Sequence, residues 1–80
     1  MDDRTVLLQI EGLIDEEREL HRHSGADGLD AAGRERLAAI EVALDQWWDY
    51  LRQRRAARAS GHDPETAGIR PPEVVERYVQ

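Results

Sequence analysis

Cysteine and lysine are both absent from this 80-residue chain. Without thiols there are no disulfides, no thiolate nucleophile and no cysteine-ligated zinc. Without lysine, all 11 basic side chains are arginine, set against 17 carboxylates for a net charge of −6. Plentiful Ala, Arg, Gly, Asp and Glu beside no lysine point to a GC-rich coding sequence, so an arginine cluster means less than its density implies. An acidic total disfavours non-specific nucleic-acid binding, which depends on neutralising phosphates. Long apolar runs are missing too. Nothing approaches the roughly 20 residues that span a bilayer, and the acidic start Met1-Asp-Asp-Arg4 lacks a signal-peptide pattern. A soluble cytoplasmic protein with no membrane association is expected. Ser24, Ser60, Thr5 and Thr66 all fall at caps or turns, with no Gly-x-Ser-x-Gly context and no group to orient a base. No glycine-rich phosphate loop, internal repeat or low-complexity segment occurs. No catalytic residue and no cofactor is assigned, and a non-enzymatic protein is expected.

So short a chain buries only about 60–65% of its unfolded surface, and its core is marginal unless reinforced. With disulfides excluded, self-association is the favoured remedy. Helical periodicity dominates what is present. Asp2 or Asp3 can cap a first helix, and Val6, Leu7, Ile10, Leu13, Ile14 and Leu20 follow at helical spacing, giving a helix from about residue 3 to about residue 23. Gly12 falls away from that seam. Ser24-Gly-Ala-Asp-Gly28 is turn chemistry, with Gly25 suited to a left-handed C′ position. Leu29-Asp30 reads as a staple residue and an N-cap, weakened because Gly33 stands where a capping box would place Glu. A second helix is expected from about residue 31 to about residue 60, ending at Ser60-Gly61.

In that second helix Leu37, Ile40, Leu44, Trp47 and Leu51 alternate in steps of three and four, a seam by which one helix lies along another. A short connection makes the two antiparallel. Leu20 then faces Leu37, Leu13 faces Leu44, Ile10 faces Trp47, and Asp3 lies near Arg54. The expected fold is all-α: a helical hairpin over residues 1–61 and a tail over 62–80. His62-Asp-Pro-Glu-Thr66 reads as an N-cap with proline at N1, Ile69-Arg-Pro-Pro72 as extended, and residues 72–79 as about two turns of helix that dock on this chain or on a partner subunit. Adjacent apolar pairs (Val6/Leu7, Leu13/Ile14, Trp47/Trp48) cannot all serve one seam, since neighbours lie about 100° apart. A second apolar face comprising Leu7, Ile14, Trp48 and Tyr50 is therefore the candidate partner interface, pairing two hairpins into a dimeric four-helix bundle.

Three further clusters carry chemistry. Glu16, Glu17, Glu19, His21 and His23 have carboxylates and imidazoles four apart, a ligand set suited to zinc, iron or manganese. The facing positions offer only Arg36 and Glu41, so no metal site is assigned. Glu17 falls opposite Ile40, where Arg36 or His21 would partner it in a polar layer that sets the hairpin register. Arg52, Arg54, Arg55 and Arg58 form the candidate anion or tail-docking site, with Asp2, Asp3 and Asp49 as nearby acids. Binding of nucleic acid there is the alternative function. Trp47, Trp48 and Tyr50 could stack a base or ligand only if exposed beside a basic groove, and at this spacing they read as core or interface.

The stretch Leu44-Asp-Gln-Trp-Trp-Asp-Tyr-Leu-Arg-Gln-Arg-Arg-Ala-Ala-Arg58, continuing through Gly61-His-Asp-Pro64, resembles a family of short bacterial proteins, domain of unknown function 2630. The ending Arg70-Pro-Pro-Glu-Val-Val-Glu-Arg-Tyr-Val-Gln80 and the start Met1-Asp-Asp also resemble that family, so the likeness covers nearly the whole chain. Gly33, where a charged residue is expected, and the segment His21–Gly28 depart from the pattern. The resemblance implies a stand-alone small protein with no activity or site residues to transfer. It also implies that the Trp–Arg segment and the Pro-Pro-Glu tail belong together, as one packed unit or as one site. A small interaction or regulatory protein that self-associates and has a further, unidentified protein partner is the reading these observations favour.

Overall fold

The computed structural model describes residues 1–24 and 28–79, with side chains to Val75, and every regular element among them is helical. Helix α1 spans Asp3–Arg22 and α2 spans Ala31–Ala59. A 3₁₀ turn at Pro64–Thr66 and a short helix α3, Pro72–Val79, complete the chain. The expected left-handed Gly25 lies outside the described residues.

Local chemistry explains each boundary. The Asp2 carboxylate accepts from the Thr5 amide at 2.8 Å, and the Asp30 carboxylate accepts from the Gly33 amide at 2.7 Å, so each satisfies an orphan donor of a first helical turn. Gly33 now has a reason. A Cβ there would sit 3.1 Å from both the Asp30 oxygen and a Leu29 methyl, which fold over the helix start. At the far end of α2, Gly61 takes φ +78° and its amide donates to the Arg58 carbonyl, while the His62 amide donates to the Ala57 carbonyl. That is a Schellman ending, which turns the chain back along α2. Asp63 then caps the 3₁₀ turn, accepting from the Glu65 amide at 2.9 Å.

The two long helices lie antiparallel, and ion pairs mark the register at both ends. Asp3 accepts from Arg54 Nε at 2.7 Å near the chain start, and Glu16 takes a two-pronged grip from Arg36 near the turn. The partner of Arg36 is thus Glu16, not Glu17. Both carboxylates are half-buried, but they point about 100° apart round α1, and it is Glu16 that meets the Arg36 guanidinium from the opposite helix. Between these ties Val6, Ile10, Tyr50 and Leu51 form the core, with Leu7, Ile14, Leu44, Trp47 and Ala67 packed against it. Ile40 is buried nearer the turn, and Val75 of α3 is buried in the tail, which packs on α2 of its own chain.

The result is thin. Its principal extents are 51 × 25 × 16 Å and its radius of gyration is 15.0 Å, against roughly 12 Å for a compact domain of this length. Two helices and a strap cannot cover both faces of a core.

Candidate functional site

Residues of α2 from Gln46 to Arg58 hold the tail and the chain start together. Arg54 is the hub. Its side chain is only 5% exposed and is held from several directions: Nε donates to Asp3 at 2.7 Å, Nη1 donates to Glu65 at 3.0 Å and to the Pro64 carbonyl at 3.4 Å, and the guanidinium carbon stands 6.0 Å from the Tyr50 ring centroid. Arg58 adds a second donor to Asp3 at 2.9 Å. Held by Arg58 and Arg54 together, the Asp3 carboxyl falls to about 2, while Arg54 is driven further towards its charged form. Glu65 is also lowered, first by the amino group of Met1 at 2.9 Å and then by Arg54.

One turn towards the N-terminus, Gln46, Asp49 and Gln53 share the flank of α2 that meets the tail. Asp49 is 2% exposed. It accepts from Arg70 through both Nε (2.8 Å) and Nη2, and from Gln53 at 2.8 Å. Arg70 is the main reason its carboxyl lies below the ordinary value. Gln53 also grips the backbone of Gly68 in both directions, donating to its carbonyl at 2.8 Å and accepting from its amide at 3.3 Å. Gln46 donates to the Arg70 carbonyl at 3.1 Å. An extended segment before two prolines has backbone groups no helix can satisfy, and these side chains supply the partners. A pocket of about 320 Å³ opens beside this clasp, lined by Asp49, Arg52, Gln53, Ala56 and Arg70. Its one carboxylate, Asp49, already accepts from Arg70 and Gln53.

The residues singled out in the sequence separate into distinct settings. Of the arginines, Arg54 and Arg58 are tied to Asp3, whereas Arg52 and Arg55 are exposed. Trp48 remains 37% exposed, and Leu7 and Ile14 are half-buried against the core. Tyr50 has no surface to give a partner: it is 8% exposed, with Trp47 edge-on at 5.9 Å. Trp48 and Tyr50 lie about 200° apart round a helix, so they never shared a face. In the acidic–histidine group, His23 meets Glu19 at 3.1 Å and Glu19 also takes Arg22. Among the described residues no three such side chains gather as metal ligands. Gln46, Gln53 and Arg70 escape sequence reasoning; Asp49 does neighbour Arg52 of the arginine cluster, but its hydrogen-bonded partners are Arg70 and Gln53. Their spacing of three and four was the available signal.

A family model described as protein of unknown function (DUF2630) matches residues 2–80. The chain belongs to that family. Uncharacterised proteins of Mycobacterium tuberculosis and Mycobacterium bovis are each 43% identical to this DUF2630 chain over 79 residues, covering 95% of it and 88% of their own length. No solved structure matches. Both segments that carry the family resemblance lie in the clasp: the α2 stretch supplies Gln46, Asp49, Gln53 and Arg54, and the tail supplies Arg70. Among the described residues, no helix of this DUF2630 protein is long and apolar enough to cross a membrane.

Proposed function

We propose that this protein is a non-enzymatic interaction module that works as a pair of hairpins, a second copy covering the face its tail leaves open. The surface it exposes carries this reading. A folded chain of 9.1 kDa ordinarily exposes roughly 4,900 Å², yet this one exposes 5669 Å². The excess, roughly 800 Å², is about one partner's share of a standard interface.

Helical geometry supports the placement. At about 100° per residue, Leu37, Leu44 and Trp48 lie on one flank of α2, while Gln46, Tyr50 and Gln53 lie on the other, under the tail. In an antiparallel pair the flank of α1 that carries Leu7 and Ile14 falls on the same side as Trp48. Six buried apolar side chains among the described residues also make a small core, which association would reinforce. The competing use of Arg52, Arg54, Arg55 and Arg58 as an anion or nucleic-acid site loses two of its four guanidinium groups to Asp3.

Sedimentation equilibrium of the full chain tests the reading. Twice the monomer mass is expected at micromolar concentration, reverting towards the monomer in Trp48→Ala with helical circular dichroism retained. A folded parent that stays monomeric would refute it.

A further inference from the structure

A second regular row runs along α2, each member one residue beyond the seam that meets α1. Glu41, Asp45, Trp48, Arg52 and Arg55 follow at steps of four, three, four and three, and Ala38 and Ala59 continue the spacing at either end. All seven are exposed. Such spacing is that of a helix–helix seam, but among the described residues no element of this chain lies along it.

Charge along the row is sorted, not mixed. Both acids precede Trp48 and both arginines follow it, so within one chain like charges sit four and three residues apart, an arrangement that repels. An isolated solvated helix gains more from alternating acids and bases at that spacing. Among the described residues none of the four makes an ion pair, and Arg52 acts only at a distance, favouring the charged form of Asp49. Turned end over end about Trp48, however, the row matches itself with the charges opposed. Glu41 falls against Arg55, Asp45 against Arg52, Ala38 against Ala59, and Trp48 against Trp48.

We propose that a second copy of this chain lies antiparallel along this row, related by a two-fold axis at Trp48, with Glu41–Arg55 and Asp45–Arg52 pairs between copies setting the register. The inference rests on the self-association proposed above and adds its geometry. An isologous contact needs one self-complementary patch, which this row provides. A parallel pair would set acid against acid and base against base, so the same charges select against it. Arginine suits the task, because its planar fork meets a carboxylate two-pronged. Leu44 and Leu37 border the row on the side towards α1 and add apolar contact beside Trp48.

Reciprocal charge reversal tests the register in the full chain. Glu41→Arg and Arg55→Glu each turn two symmetry-related attractions into repulsions, and each is expected to raise the dimer dissociation constant about tenfold or more. Mixed together, the two variants regain opposite charges at both sites, so a heterodimer of near-parental affinity is expected by sedimentation velocity. Circular dichroism confirms that each variant folds, since both positions are exposed. Single variants that dimerise like the parent, or a mixture that fails to recover, would overturn the register while self-association itself stands. A monomeric parent would instead remove the reading beneath it and this inference with it.

Discussion

Replacing Asp49 by alanine should release the tail while leaving the hairpin folded. The carboxylate is 2% exposed and receives two donors from Arg70 and one from Gln53. Breaking a buried ion pair costs about 3–5 kcal/mol when the survivor stays buried and uncompensated. Here the Arg70 side chain is 33% exposed and regains water, so about 2–3 kcal/mol is the better figure. Val75, Gln46 and the Gln53–Gly68 clasp remain, and the core of Val6, Ile10 and Leu51 is untouched. The loss therefore falls on tail docking. Hydrogen exchange reads it directly, because the amides of Gly68, Val74 and Val75 have partners that exist only in the docked tail or its helix. Their exchange should accelerate roughly 30- to 150-fold, the factor that corresponds to about 2–3 kcal/mol. The amides of α1 should change little. Exchange at those three positions within threefold of the parent would show that Asp49 does not hold the tail.

Acid should loosen the start of α1 from α2 in a defined window. Asp3 has a native pKa of about 2, below its ordinary 3.8; a lowered native value adds stability that is complete above the unfolded pKa and disappears as pH falls through the native one. Melting temperature should therefore drop between about pH 4 and pH 2, with Asp49 contributing in the same direction, and Asp3→Asn should flatten the profile; identical melting at both ends of the window would contradict the Arg54–Asp3–Arg58 account. Two glycines should respond in opposite directions in urea unfolding. Gly12, mid-helix with open space around it, should gain about 0.5–1 kcal/mol as alanine, whereas Gly61, at φ +78°, should lose about 1 kcal/mol as alanine.

The hairpin was legible because its signals were of one kind. Apolar residues at steps of three and four, capped by Asp2 and Asp30 and closed at Ser60-Gly61, bring Ile10 and Trp47 into one core and Asp3 to Arg54. Where reading from sequence went astray, the cause was geometry finer than spacing. Glu16 and Glu17 differ by about 100° round the helix, and a position nearest the seam is not by itself the one that meets Arg36, which pairs with Glu16. Tyr50 was grouped with Trp48 as a second-face aromatic, yet it lies on the flank the tail covers, and only the path of the tail reveals that. The clasp of Gln46, Asp49 and Gln53 was harder to find. Polar side chains at helical spacing read as solvated surface, and two of the three bond to backbone, which carries no side-chain signature to search for. The tail's own sequence held the clue, since an extended stretch before Pro71 and Pro72 leaves carbonyls and amides in need of partners.

The double grip of Gln53 on Gly68 bears on how this tail tolerates change. Between Glu65, fastened to Arg54, and Arg70, fastened to Asp49, the strap works as a ruler laid against the helix. Its hold at Gly68 recognises the main chain and is indifferent to the side chains around it; Ile69, half exposed, is free to be almost anything. Length is another matter. One residue added or removed between Thr66 and Ile69 would slide Gly68 off the Gln53 amide and carry Arg70 past Asp49, undoing several bonds at once. Spelling can drift along this strap, but its measure cannot.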